Sequence, residues 1–327
     1  MKLTLEQIRS ATQGALQIWE ENGLVHFCRF TREQMEMYRE RNLDFYKKAH
    51  GTAGIKLCFR TNSQTLSMKI QTEPGSSRTY FSVDVFADGK FVGAITEEQE
   101  QLFDAFSGEF SLGTGEKTVT VHLPWSVGVK IQEFCLDAGA LITPVRPDKT
   151  LLMYGDSITQ GYDARRNDMR YAAKLAAFLN AEEHNRAIGG EVYNAPLVAL
   201  EEPVQPDYIT IAYGTNDWGK KNRQFFDENC PEFIKTVSKK YPQAEVFVLT
   251  PIWRKNYRDE NEFGPFEDVE KTIRKSCEGL ANVKVLRGFD FVPKDEKYFY
   301  DQVLHPNDEG FTHYAENLCK AITEARK

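Results

Sequence analysis

The second half of the chain alternates short apolar runs with longer stretches of helical periodicity, and few folds accommodate that alternation. The apolar runs cover residues 151–154, 208–213, 245–250 and 283–286. The helix-like stretches cover residues 170–179, 227–240, 266–280 and 308–323. Strands that alternate with helices predict βαβ crossovers, because neighbouring parallel strands need a long connection. We therefore expect an α/β domain whose parallel sheet has helices on both faces.

A different period governs the first half of the chain. From about residue 55 to residue 123, apolar and polar residues alternate, as they do along 66–71 and 81–85. Five or more short strands of this kind predict an antiparallel β-sandwich in which each sheet buries one face. The two prolines of segment 143–149 mark a linker. We therefore predict an N-terminal β-sandwich domain over residues 1–145 and a second domain over residues 149–327.

Local signals add detail to the N-terminal domain. Capping boxes that begin at Thr4 and Thr31 predict short helices, the first over residues 5–18. Asp88-Gly89 predicts a hairpin turn between two strands. Segment 113–118 contains two glycines and a lysine, but it departs from the phosphate-loop pattern and no helix follows it. We interpret that segment as a second hairpin turn.

The composition excludes several classes of protein. The 327 residues are 41% hydrophobic and 27% charged, which is typical of a soluble globular protein with room for two domains. The net charge of −7 argues against a nucleic-acid binder, because such proteins usually carry a basic stripe. No apolar run approaches the roughly 20 residues of a membrane span, so we expect no membrane association.

Targeting and cofactor signals are equally sparse. The N-terminus has no apolar segment typical of a secretion signal, and the six cysteines are scattered without a C-x-x-C pair. Both observations favour a cytoplasmic protein. The sequence has no clustered metal-ligand spacing and no G-x-G-x-x-G turn after a strand, so we predict neither a metal nor a dinucleotide cofactor. It makes no prediction about oligomeric state.

Four polar blocks follow the strands and helices of the second domain in order. They are Gly155-Asp156-Ser157, Gly189-Gly190, Gly214-Thr215-Asn216-Asp217 and Asp301 to His305. Each block is weak evidence alone, but together, over residues 149–323, they resemble the SGNH (GDSL-type) hydrolases. That resemblance implies a flavodoxin-like parallel sheet. A β-rich domain before an SGNH domain also resembles the carbohydrate esterase family 2 group, which implies a jelly-roll-like sandwich.

The blocks contain the groups that ester hydrolysis needs, namely a nucleophile, a base and oxyanion donors. Ser157 is the candidate nucleophile, and Gly155 is expected to let the chain turn and to leave room for a ligand. His305 is the candidate base, because loops after parallel strands gather at one edge of the sheet. The resemblance implies an oxyanion hole formed by the amides of Ser157 and Gly190 and the side chain of Asn216. The alternatives are a simple turn at Gly190 and a helix N-cap at Asn216.

Asp301 is where the chain departs from the family pattern. Three residues separate it from His305, whereas the usual block has two. A turn could still bring the carboxylate to the imidazole, and a triad with Asp301 is the prediction we favour over a dyad. In the dyad, a backbone carbonyl would orient His305, as the resemblance to carbohydrate esterase family 2 allows. Asp308 is expected to cap the last helix instead.

Two tryptophans fall at the predicted active edge. Trp218 follows the Asn216 block and Trp253 follows a strand, so both are candidates for stacking on a sugar ring. The sequence therefore predicts a serine esterase that removes O-acetyl groups from an oligosaccharide or polysaccharide. A short-chain lipase, a thioesterase and a catalytically dead carbohydrate-binding protein remain as alternatives.

Overall fold

A computed structural model describes residues 1–98, 104–220 and 222–327. Contacts divide the chain into two compact units. The first contains residues 1–148 with 165–168 and 182–184, and the second contains residues 149–164, 169–181 and 185–327. The sequence analysis had assigned the two short segments to the second domain.

The first unit combines short helices with two antiparallel sheets. Its helices are α1 (Leu5–Ala11), α2 (Arg32–Arg41) and α3 (Leu43–Ala49). Its strands are β1 (Thr12–Gln13), β2 (Gln17–Glu21), β3 (Leu24–Cys28), β4 (Lys56–Thr61), β5 (Thr65–Pro74), β6 (Phe81–Ala87), β7 (Lys90–Glu97), β8 (Ala105–Ser111), β9 (Lys117–His122), β10 (Val127–Leu136) and β11 (Thr143–Pro144). One sheet has the order β2-β3-β10-β5-β8, and the other has the order β1-β4-β9-β6-β7 with β11 beside β4.

Apolar residues from both sheets form one continuous core, which includes Leu66, Met68, Val83 and Val121. The alternation seen in the sequence is the reason, because every second side chain of a strand points to the same face. The predicted antiparallel sandwich is therefore confirmed.

The structure corrects two details of this unit. Helix α1 ends at Ala11 rather than near residue 18, because Thr12 is extended and Gly14 takes a φ of +83°. Segment 113–118 is not a hairpin, since β8 and β9 lie in different sheets and the segment crosses between them. The buried Lys117 ammonium donates to the carbonyls of Ser63 and Gly113, which explains the lysine without a phosphate.

The second unit is the predicted α/β fold. Its strands are β12 (Lys149–Gly155), β13 (Ala181–Asn185), β14 (Tyr208–Ala212), β15 (Glu245–Leu249) and β16 (Val283–Leu286). Its helices are α4 (Ser157–Gln160), α5 (Tyr171–Phe178), α6 (Ala195–Ala199), α7 (Thr215–Gly219), α8 (Arg223–Lys240), α9 (Glu267–Cys277) and α10 (Asp308–Ala325), with 3₁₀ turns at Asn167–Met169, Gly288–Asp290 and Glu296–Tyr298.

The sheet of this unit has the order β13-β12-β14-β15-β16, and the pairs β12–β14, β14–β15 and β15–β16 are parallel. Counted from the first strand of the unit, this is the order 2-1-3-4-5 of flavodoxin-like sheets. The predicted fold class is thus confirmed. In the described part of the chain, no helix has the length and apolarity needed to cross a bilayer.

Candidate active site

The topological switch point of the sheet lies between β12 and β14, where ligands bind in open α/β folds. Ser157 follows β12 after one intervening residue, and Asn216 follows β14 in the short helix α7. The two blocks therefore meet at the same edge of the sheet, beside the switch point.

The turn that carries Ser157 is built by its neighbours. The Asp156 side chain caps α4 by accepting the amide of Ile158 at 3.0 Å. A Cβ on Gly155 would lie 2.2 Å from the hydroxyl oxygen of Thr159. The space beside Gly155 is thus filled by the protein, which corrects the expectation that it is left for a ligand. Ser157 is the first residue of α4, where the amide has no carbonyl partner within the helix.

Ser157, His305 and Asp301 form a continuous chain of contacts. Ser157 Oγ lies 2.9 Å from His305 Nε2. His305 Nδ1 lies 2.8 Å from Asp301 Oδ2. A carboxylate only accepts, so Asp301 fixes the proton on Nδ1 and leaves Nε2 free to accept the serine proton. This is the geometry of a nucleophile, a base and an orienting acid.

The loop around Asp301 explains how three intervening residues are accommodated. Asp301 Oδ1 accepts the backbone amides of Val303, Leu304 and His305 at 2.7 to 3.0 Å. Gln302 takes a φ of +58°, which tightens the turn. Residues 301–305 form neither an extended loop nor a regular helix, because the hydrogen bonds to the Asp301 carboxylate determine the backbone conformation there. The cap of α10 is Asn307 and not Asp308, since Asn307 Oδ1 accepts the amide of Gly310.

The three acids around the site differ in their electrostatics. Burial alone would raise the pKa of Asp301, but the hydrogen bonds from His305 and from backbone amides outweigh burial and lower it well below the ordinary value. Burial raises the pKa of Asp156 to about 6. Burial, with smaller contributions from Asp156 and Glu191, raises the pKa of Asp217 to about 7. Asp301 is therefore the anion suited to pair with an imidazolium.

The two further oxyanion candidates are held close to α4 and to each other. The amide of Gly189 donates to Gln160 Oε1 at 2.8 Å, which ties the 189–190 turn to the serine helix. Asn216 Nδ2 donates to the Glu191 carbonyl at 3.1 Å, which fixes the direction of the side-chain amide. Asn216 lies inside α7, whose N-cap is Gly214, so it is not itself a cap. The oxyanion roles of Gly190 and Asn216 stay predictions.

The structure does not support substrate stacking on Trp218 or Trp253. Trp218 is 2% exposed, and its indole N–H donates to the Gly264 carbonyl at 2.9 Å. Its ring packs edge-on against Phe266, and the guanidinium of Arg254 lies 5.0 Å from the ring centre. Trp253 is 8% exposed and packs in the core against Phe299. Neither ring offers a face to a sugar, and the expectation is corrected for both.

Two neighbours of His305 were not found from the sequence. The ring of Tyr162 stacks near the imidazole at 5.5 Å, and Asp163 Oδ2 lies 3.5 Å from His305 Nδ1. The signal that could have indicated Asp163 is an acidic residue within a buried segment, six residues after Ser157. Asp163, Asp301 and His305 are also the group of potential metal ligands found among the described residues. Contacts with Ser157 and Asp301 already engage both ring nitrogens of His305, so acid–imidazole chemistry fits this group better.

Comparisons with known proteins agree with the fold. Residues 153–312 match the model of the GDSL-like Lipase/Acylhydrolase family. A salicylyl-acyltransferase from a tetracycline biosynthetic pathway superposes with a TM-score of 0.82 at 19% identity, over 96% of this chain and 94% of that one. A search of curated proteins finds no significant match.

Two further solved structures are similar over nearly the whole chain. A GDSL-like lipase candidate from Bacteroides ovatus gives a TM-score of 0.78 at 18% identity, over 100% of this chain and 98% of that one. A family two carbohydrate esterase from Cellvibrio japonicus gives 0.67 at 16% identity, with 99% and 97% covered. The fold, the ordered blocks and the family match lead to one conclusion: residues 153–312 form a GDSL-like lipase/acylhydrolase domain, and the chain is an enzyme of that carboxylic ester hydrolase class.

Proposed function

We propose that this protein is a serine esterase that removes O-acetyl groups from a carbohydrate. The observation that carries the proposal is the contact chain from Ser157 through His305 to Asp301, at 2.9 and 2.8 Å. In the first step, His305 takes the Ser157 proton while Oγ forms a bond to the acyl carbon. The tetrahedral oxyanion accepts hydrogen bonds from the amides of Ser157 and Gly190 and from Asn216.

The remaining steps return the enzyme to its starting state. The bond from the acyl carbon to the sugar oxygen breaks, His305 gives its proton to that oxygen, and an acyl-serine is left. A water molecule then loses a proton to His305 and attacks the acyl carbon. The bond from the acyl carbon to Oγ breaks, His305 returns the proton to Ser157 Oγ, and acetic acid leaves and ionises in solvent. Asp301 stays ionised throughout and stabilises the imidazolium. These steps use side chains and backbone amides of this chain.

A cavity whose lining includes charged and amide side chains favours a carbohydrate over a lipid as the substrate in this proposal. The cavity measures about 480 Å³ and is lined by Tyr257, Arg258, Asp259, Glu260, Asn261, Gly264, Pro265 and Glu267. The segment leading to it is fixed to the catalytic loop by the Lys255 amide, which donates to the Val303 carbonyl at 2.9 Å. Charged and amide side chains can hydrogen-bond to sugar hydroxyls, whereas an acyl chain would leave them unpaired. The similar structures include carbohydrate esterases, which agrees with this choice.

The nucleophile is tested by Ser157→Ala. The expected result is a fall in kcat of several orders of magnitude on an aryl acetate, with an unchanged melting temperature. Labelling by a fluorophosphonate should also disappear. A variant that keeps more than about a tenth of the activity would refute the assignment.

The substrate class is tested in two ways, by varying the length of the acyl chain and by substituting a residue that lines the cavity. A deacetylase should prefer acetyl esters over longer acyl esters, because an acyl pocket fitted to acetyl excludes longer chains. Arg258→Ala should raise KM for an acetylated oligosaccharide several-fold and leave an aryl acetate unaffected, since the proposal places only the sugar chain at the cavity. Arg39→Ala, an exposed arginine of α2, is the matched control. Preference for long acyl chains would favour a lipase, and transfer of the acetyl group to an added alcohol would favour an acyltransferase.

A further inference from the structure

We propose that Asp163 is a second positioning carboxylate for His305, which acts beside Asp301 and takes over part of its task when Asp301 is lost. The inference rests on the proposed function, because it concerns the same base. Its basis is the distance of 3.5 Å between Asp163 Oδ2 and His305 Nδ1, on the side of the ring that Asp301 also faces. At that distance the carboxylate is too far for a good hydrogen bond but close enough for a strong charge interaction.

The environments of the two acids differ. The side chain of Asp163 is 0% exposed, whereas that of Asp301 is 28% exposed. Solvent and salt therefore screen the charge of Asp163 less. One carboxylate oxygen of Asp301 also accepts hydrogen bonds from three backbone amides of its own loop. Asp301 thus provides the geometry, while Asp163 adds buried negative charge at the same nitrogen.

The chain places Asp163 through the same turn that places the nucleophile. Helix α4 ends at Gln160 with Gly161 as its C-cap, and the amides of Gly161 and Tyr162 both donate to the Ser157 carbonyl at 2.9 Å. Asp163 takes a φ of +72°, a left-handed conformation that aspartate tolerates better than most residues. Tyr162 stacks near the imidazole between these two points. The short, hydrogen-bonded turn from Ser157 to Asp163 therefore fixes the positions of these two residues relative to each other.

The expected effect follows from the charge that forms during the reaction. When the serine proton moves to Nε2, the imidazole becomes a cation, and Asp163 and Asp301 both stabilise it. Asp156 is a further acid that interacts electrostatically with His305. The positive charge of Arg254 interacts with the carboxylates of Asp156 and Asp301. No proton moves to or from Asp163 in this scheme. Its loss should change kcat rather than KM, because the imidazolium exists only after the substrate is bound.

A double-mutant cycle tests the proposal with an aryl acetate as substrate. Asp163→Asn should lower kcat about three- to tenfold, and Asp301→Ala about a hundredfold, less than the 10⁴ known for loss of a sole orienting acid. In the Asp301→Ala background, Asp163→Asn should cost at least a further thirtyfold, because no carboxylate then remains at Nδ1. An equal cost in both backgrounds overturns the proposal.

The pH profile supplies a readout that a structural role would not move. An anion beside the ring favours the protonated form, so Asp163→Asn should shift the acid limb of kcat/KM to lower pH. Asp290→Asn removes a charge from an exposed aspartate paired with Lys294 and should leave the limb in place. If Asp163→Asn does not fold, Asp163→Gly removes the carboxylate and suits the left-handed backbone.

The outcomes separate this proposal from the proposed function. Fluorophosphonate labelling of wild type and of Ser157→Ala reports the nucleophile independently of Asp163. If wild type is labelled and active but the cycle is additive and the acid limb does not move, only the role of Asp163 fails. If wild type is neither labelled nor active on aryl acetates, both proposals fail.

Discussion

The side chain of Asn216, the predicted oxyanion donor, is held in place by a hydrogen bond that takes no part in the proposed reaction. One N–H of its amide group donates to the Glu191 carbonyl, so the plane of the amide is fixed before substrate arrives. The second N–H of the group keeps a defined direction. Donors that need no reorganisation are the ones that stabilise a developing oxyanion best.

Replacement of Asn216 tests this at the residue scale. Asn216→Ala should lower kcat about 10²- to 10³-fold, the range measured for loss of one oxyanion donor, with a small change in KM. Asn216→Asp keeps the shape but replaces the donor by an acceptor, and it should lose at least as much. Steady-state kinetics on an aryl acetate check both. An Ala variant that keeps a third of wild-type kcat would exclude Asn216 from the oxyanion hole.

The sequence could predict which residues meet where the expected chemistry demands one residue type in a fixed local setting. The serine turn, the histidine after the last strand and the nearby aspartate were found in this way, and the structure brings Ser157, His305 and Asp301 together. Asp163 was not found, because its approach to His305 depends on packing across 142 residues of chain. Trp218 and Trp253 were misread, because adjacency in sequence does not reveal which way a ring faces.

At the scale of elements, hydrogen bonds hold the segment between β16 and α10 on both sides of His305. Phe299 and Pro306 form an antiparallel bridge, and the Tyr300 amide donates to the His305 carbonyl at 2.8 Å. Asn307 then caps α10 and donates through Nδ2 to the Lys297 carbonyl at 2.7 Å. These contacts therefore join the two ends of the loop and attach the loop to the last helix.

Substitution of Asn307 should separate stability from catalysis. Asn307→Ala should lower the free energy of unfolding by about 1–2 kcal/mol, because it removes the cap. Asn307→Ser restores the cap but not the bond to Lys297, so its loss should be smaller. Urea unfolding measures both, and kcat should stay within about threefold, since Asp301 holds His305 independently. Equal losses for Ala and Ser would show that the cap contributes little.

Elements with a strong apolar period were predictable, and those without one were not. Helices α5 and α10 and strands β12, β14 and β15 lie close to the predicted ranges. Strand β13 was missed, because Ala181-Glu182-Glu183-His184-Asn185 reads as a polar segment. The connection from β8 to β9 was wrongly predicted to be a hairpin. Turn residues indicate where a chain changes direction, but they do not indicate to which sheet the next strand belongs.

At the scale of the whole molecule, Asp217 links folding stability to pH. Its folded pKa of about 7 lies above the ordinary value of 3.8, chiefly through burial. Between about pH 4 and pH 7 the folded chain keeps a proton that the unfolded chain has released. The contribution of this group to stability is therefore fully present below about pH 4 and is lost as the pH rises to about 7.

Asp217→Asn should reveal this dependence. The Asn variant retains an oxygen for the Tyr193 amide and has no charge to bury, so it should be more stable than wild type at pH 8, by a few kcal/mol at most. The difference should shrink towards pH 4. Asp290 pairs with Lys294, which lowers its pKa, so Asp290→Asn should show a constant difference from wild type between pH 5 and pH 8. Thermal unfolding at several pH values checks both, and a flat Asp217 difference would contradict the prediction.

The loop around Asp301 also bears on how enzymes of this kind are found in genomes. A search that requires exactly two residues between aspartate and histidine would discard this chain and record its active site as incomplete. Here the carboxylate accepts hydrogen bonds from the backbone of its own loop, and it still reaches the imidazole although three residues intervene. Surveys that score this bonding in structures would recover members that fixed spacings lose.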